Sequence, residues 1–390
     1  MDVNREVLHS LRRATVRLVL VWAAFVVGVW TVPHRWCMRG ADFWYDGDPA
    51  VQDALARGVE RFVRDGVGLS DFHTGDAVFN GEWLFGSYLM AGFGFGQLAL
   101  EQPAQAARHR ALMRLCIDQL LQPDARAFDR LNWNRDALDA LGSDEDHAAY
   151  LGYLNLLLGF HRLVESDSPY AELNEKITEH LTTRLAASPI RMLVTYPGEV
   201  YPVDNCAAVA SIAMHARVNG AEPPPLVREW IANVRARYID PDTGLLVQAL
   251  SVAGEPIDDP RGSGTSLGLY LMSFADDALA REWYAALRRS LGRTFLGFGA
   301  VREYPAGVHG RGDIDSGPIL FGYGLSATGF SIAGARMYGD RAYFRRLYAS
   351  AHLAGAPLRR GDRLEFVTGG PLGNAILFAM FTAGPGRAAQ

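Results

Sequence analysis

The chain has 390 residues, of which 49% are apolar and 21% charged, and a formal net charge of −5. This composition excludes a disordered chain and allows one large domain with a sizeable core. No basic block follows Arg17, which argues against a nucleic-acid partner, and Lys176 is the single lysine, which argues against a P-loop or a Schiff-base mechanism.

The first feature in chain order is an apolar run over 16–32, VRLVLVWAAFVVGVWTV, preceded by Arg5, Arg12, Arg13 and Arg17. About 17–20 apolar residues are just enough to span a bilayer. Positive charge stays cytoplasmic, so the rest of the chain is expected outside. A cleaved signal peptide is the competing reading, but the residues after the run, PHRWCMRG, hold no small-x-small cleavage site. The division expected is a basic tail over 1–15, a transmembrane anchor over 16–32, a linker over 33–48 and a catalytic barrel over 49–390. That places the protein in a bacterial inner membrane, single-pass, with the barrel on the periplasmic side.

From residue 49 the pattern predicts twelve helices, at 49–65, 82–100, 104–122, 145–164, 168–186, 204–219, 225–238, 263–275, 277–292, 317–337, 339–352 and 370–384. Segments 294–304 and 363–367 are compatible with short hairpins. The odd helices are amphipathic, as in RHRALMRLCIDQLL and PLVREWIANVRARYI. The even ones are apolar nearly all round and rich in small residues, as in GSYLMAGFGFGQLAL, YLGYLNLLLGF and CAAVASIAMHA. A helix apolar on every face is buried on every face. Six buried helices alternating with six amphipathic ones describe an all-α (α/α)6 toroid.

In such a toroid the inner helices run the same way, so their N-termini meet at one end. The segments entering them are FNGEW, GSDEDH, YPGEVYPVDN, DDPRGSG, GRGDIDSG and VTGG. An acid at a helix start serves most simply as a cap. Acids and glycines at every convergent end, beside aromatics, exceed what capping needs. The catalytic candidates are Glu82, Asp146, Glu199, Asp204, Asp313 and Asp315. Glu199 or Asp204 is the expected proton donor, and Asp313 or Asp315 the activator of water. His73, Trp83, Tyr153, Tyr196, Tyr201, Asn205 and Arg261 are candidate substrate contacts, with Arg261 and Arg311 able to neutralise the acids. Cys37, Cys116 and Cys206 show neither metal spacing nor a disulfide framework. No metal or cofactor is expected.

Three segments, 150–163, 195–220 and 310–340, resemble the linalool dehydratase/isomerase domain family, an (α/α)6 barrel. The resemblance implies that fold and a site at the barrel mouth. In that family two cysteines and a histidine work beside acids and a tyrosine. Here the cysteine positions fall on Thr195 and Asp204 and the histidine position on Tyr153. Cys206 is displaced by two residues, so the thiol chemistry is not carried over.

Three functions follow. The first is a glycan-active hydrolase or lyase working through paired carboxylates. The second is a dehydratase or isomerase of a small, terpenoid-like alcohol, as the resemblance implies. The third is a non-catalytic, membrane-tethered binding barrel. The expected partners are a small-molecule or oligosaccharide substrate and the membrane through 16–32; an oligomer stays open.

Overall fold

The computed structural model describes residues 3–314 and 316–384. Its helices are α1 (Val3–Cys37), α2 (Ala41–Asp46), α3 (Pro49–Asp65), α4 (Ala77–Glu101), α5 (Ala106–Leu120), α6 (Ala127–Trp133), α7 (Ala148–Val164) and α8 (Ala171–Ala187). They continue as α9 (Pro202–Val218), α10 (Pro225–Arg237), α11 (Gly262–Met272), α12 (Asp277–Ser290), α13 (Leu325–Met337), α14 (Arg341–Gly355) and α15 (Gly370–Thr382). All twelve expected barrel helices are present.

The inner ring is α4, α7, α9, α11, α13 and α15, each packed on the next, with α15 returning to α4. The outer helices α3, α5, α8, α10, α12 and α14 pack around the inner ring. Small residues set the spacing of the inner ring. A side chain at Gly152 on α7 would meet the backbone nitrogen of Ala208 on α9, and one at Gly94 on α4 would enter the ring of Phe378 on α15. The buried Tyr270, Phe93, Phe160 and Phe274 fill the closed end with edge-on and tilted ring contacts.

Among the described residues four antiparallel hairpins decorate the connections: β1–β2 (Ala249–Leu250 with Pro256–Asp258), β3–β4 (Gly292–Phe295 with Phe298–Val301), β5–β6 (Ile319–Leu320 with Tyr323–Gly324) and β7–β8 (Pro357–Arg360 with Arg363–Phe366). The second overlaps the segment 294–304 read as a hairpin, whereas 363–367 supplies only the second strand of the fourth. The third shortens the helix expected over 317–337. Phe321 and Gly322 both adopt positive φ, 53° and 82°, the geometry of a tight hairpin turn rather than of a helix. α13 therefore starts only at Leu325.

α1 is long and apolar enough to cross a membrane by length and composition, and its apolar side chains are exposed. It outruns the expected 16–32, and α2 occupies much of the segment read as linker. α2 is anchored at the start of α14, where Asp42 and Asp46 pair with Arg341 and the Tyr45 ring meets Phe344 at 5.3 Å.

Candidate active site

The N-terminal turns of the inner helices open onto one cavity of about 1230 Å³. Residues from all six line it, including Glu82 (α4), Tyr153 (α7), Asp204 (α9), Ser263 (α11), Leu325 (α13) and Leu372 (α15).

Glu82 lies in the second turn of α4. That helix is capped by a different acid, Asp76, whose Oδ1 accepts from the Val78 N–H at 2.7 Å. Glu82 is thus spared from capping. Its carboxylate accepts a short hydrogen bond from the Tyr196 hydroxyl. Burial pushes Glu82 up to about 7, with Asp204, Asp76 and Glu199 adding to the rise and the Tyr196 hydroxyl opposing it.

Asp204 lies in the first turn of α9, whose N-cap is Tyr201. Rather than capping, Asp204 accepts from the Tyr153 hydroxyl at 2.8 Å. Burial raises it to about 6 against hydrogen bonds from Tyr153 and Thr195. Glu82, Tyr153 and Asp204 thus come from three successive inner helices. Two carboxyls, each held by a tyrosine, face one cavity with their proton affinities lifted into the neutral range.

Replacing Tyr196 with phenylalanine removes the hydrogen bond that holds Glu82 down. The Glu82 titration is expected to move above 7 in Tyr196→Phe, read by carboxyl NMR or by the alkaline limb of a rate profile. An unmoved titration would show that the bond does not govern this acid.

Glu199 and Asp313 also line the cavity, both exposed. Glu199 accepts from the Tyr201 hydroxyl at 3.1 Å. Asp313 is bound by Arg261 and accepts from the Ser316 N–H at 2.9 Å. Trp83, Tyr196 and Tyr201 add aromatic walls. Asp315 lies outside the described residues.

Four expected site residues do not line the cavity. Asp146 is buried, accepting from Arg184 at 2.6 Å and from the Val194 N–H at 2.7 Å, so it ties α8 and a loop to the start of α7. Asn205 is buried, spanning the Leu193 N–H and C=O, and so holds the loop before α9. His73 is exposed outside the cavity. Arg261 is locked between Asp258 and Asp313, which leaves it a neutralising role behind the wall.

Glu303 was not foreseen. It is fully buried, and its Oε1 accepts from the hydroxyl of cavity-lining Ser263 at 2.5 Å. Burial raises it to about 7, opposed by Ser263 and Arg261. It follows a hairpin instead of opening an inner helix, so no sequence pattern marks it. Cys206 is buried beneath Gly268, and burial drives its thiol far upward, which leaves no thiolate for chemistry. Among the described residues no group of three or more His, Cys, Asp or Glu is placed to share a metal ion.

An (α/α)6 barrel with an acidic mouth is the class that fold and site define. Among solved structures the chain is similar to an inactive variant of the GH76A α-1,6-mannanase of Salegentibacter sp. HEL1_6 in complex with α-1,6-mannotriose. Identity is 10% and the TM-score 0.55, covering 85% of this chain and 99% of that one. The GH76A α-1,6-mannanase of the same organism matches with 12% identity and a TM-score of 0.54, over 84% and 98% of the two chains. At this identity the likeness is one of fold. No family model matches the chain. The resemblance to the linalool dehydratase/isomerase domain family is corrected by these matches, which follow the barrel of mannanases over nearly their whole length. Small-residue inner helices look alike in any toroid of this kind, which is why the three segments misled.

Proposed function

We propose that the protein is a membrane-anchored glycoside hydrolase in which Glu82 and Asp204 perform the chemistry. The observation that carries the reading is the pair of tyrosine-held carboxyls, on α4 and α9, facing one cavity. Glycosidic cleavage needs one carboxyl protonated to donate to the leaving oxygen and one ionised to act on water or on the sugar carbon. Burial lifts Glu82 to about 7 and Asp204 to about 6, so near neutral pH Glu82 is the better placed of the two to keep a proton and Asp204 to lose one. Glu82 gives its proton to the leaving oxygen as the C–O bond breaks. Asp204 takes a proton from water as the new C–O bond forms. These roles differ from the sequence expectation, because Asp313 is already neutralised by Arg261 and Glu199 is exposed.

Glu199, Tyr201 and Trp83 supply hydrogen bonds and a stacking face for sugar rings. The mannanase likeness makes α-1,6-linked mannosides the first substrates to try. The arginines preceding the apolar stretch of α1 favour a cytoplasmic N-terminus, hence a barrel outside a bacterial inner membrane.

The test is release of reducing sugar by the full chain from α-1,6-mannan and a panel of envelope glycans. Release that ceases on loss of Glu82 supports the reading. No release from any member of the panel overturns it.

A further inference from the structure

We infer that the substrate is an amphiphile, a glycan carried on a long apolar chain, with that chain lying in the depth of the same cavity. This rests on the glycoside-cleaving reading and adds the class of aglycone.

The cavity has two zones. Among the described residues its charged lining is Asp76, Glu82, Glu199, Asp204 and Asp313, and each belongs to a mouth segment or to the first turns of an inner helix. Below them the wall turns apolar. Along α4 the lining passes from Glu82 through Phe85 to Leu89 and Met90, which lie about 10–12 Å deeper at 1.5 Å per residue. Leu372 and Ile376 on α15, with Phe330 on α13, continue this wall. A sugar placed there would lose its hydrogen bonds to water with few partners in return, whereas an alkyl chain gains from the burial. The volume also exceeds the roughly 300–1,000 Å³ typical of small-ligand pockets.

The rim points to where such a chain comes from. The β5–β6 hairpin presents Leu320 at 64% and Phe321 at 96% exposure, and Leu325 beside it is also exposed. Phe321 holds positive φ, a costly conformation for an aromatic residue that leaves its ring wholly in solvent. α1 leads to the same end of the barrel. α2 is tied to the start of α14, while His34, near the end of α1, meets Phe298 in the hairpin that covers the middle of α14. Followed backward from there, α1 runs toward the end of α14 at which Ser350, Ala351 and Ala354 line the cavity. An apolar rim on the side of a membrane-length helix suits a substrate drawn from the bilayer.

The experiment uses the full chain in lipid nanodiscs, carrying Glu82→Gln so that ligands survive. Methyl, butyl and octyl α-mannosides and 1-octanol are titrated, with empty discs as background. Affinity is expected to rise roughly 100-fold or more from methyl to octyl, since each fully buried methylene is worth about fourfold. In Gly329→Leu and Gly373→Leu the new side chain enters open cavity space. These variants should flatten the chain-length dependence while melting no lower than the parent. Equal affinity for methyl and octyl mannoside overturns the amphiphile and leaves the glycoside reading intact. Octanol binding as tightly as octyl mannoside overturns both, because the sugar then contributes nothing. A chain-length dependence that neither leucine variant flattens overturns the cavity as the place of the chain.

Discussion

Glu82→Gln is expected to lower kcat on a cleaved glycoside by roughly 10²–10⁴-fold, the usual worth of a positioned general acid. The amide keeps the size and one acceptor for the Tyr196 hydroxyl, so the loss reports the missing proton rather than a missing shape. In the parent the rate profile should be bell-shaped. Activity falls below about 6 as Asp204 takes up a proton, and above about 7 as Glu82 loses one. The variant should lose the alkaline limb along with most of the rate. Stability supplies an independent readout. Glu82 holds its proton more tightly folded than unfolded, where it titrates near 4.5. The native state therefore binds more protons between 4.5 and 7, and stability falls as pH rises through that window. A neutral glutamine escapes this loss. The Tm of Glu82→Gln should match the parent at pH 4 and exceed it at pH 8. Full activity, or a lower Tm at pH 8, would remove Glu82 from the role assigned to it.

The second large effect lies at the opposite end of the barrel. Arg336, on the last turn of α13, is nearly wholly buried. Its Nη2 donates to Glu101 Oε1 at 2.7 Å and its Nε to the Tyr45 carbonyl at 3.2 Å. Gln52 donates to the other Glu101 oxygen at 3.0 Å. One cation thus joins α13, α4, α3 and α2. Arg336→Leu leaves a carboxylate facing an apolar neighbour. Breaking a buried pair costs about 3–5 kcal/mol. A loss below that range, about 1.5–3 kcal/mol as for a hydrogen bond to a charged group, is expected here because the Glu101 side chain keeps 31% exposure. The urea midpoint measures it, and kcat of the folded protein should not change. An unaltered midpoint would show that water replaces the guanidinium without loss.

Much of the ring was legible because its physics is local. Helices such as CAAVASIAMHA, apolar on every face, have to be inside, and their alternation with charged helices sets the topology. Boundaries slipped where a backbone turn overrode an apolar run, as at Phe321–Gly322 before α13. The mouth was legible as a place but not residue by residue. Asp146 and Asp204 both stand at inner-helix entrances as short acids. Arg184 on α8 reaches the first and satisfies it, while a tyrosine and a threonine meet the second and leave it half-ionisable. That difference comes from a neighbour far along the chain, so no local pattern encodes it. Glu303 lay beyond reach for the same reason: its partner Ser263 is brought to it by the fold alone.

The seam between α15 and α4 makes the ring's first and last helices neighbours, with the Phe378 ring seated over Gly94. A chain emerging N-terminus first therefore exposes one apolar flank of α4 until the C-terminal helix arrives. Loop closure over nearly the whole barrel is costly and late, and uncovered apolar helices attract wrong partners meanwhile. Closure of the ring thus waits for α15, and a chain that stops short of Gly370 has the Glu82 carboxyl but no wall to close the chamber around it.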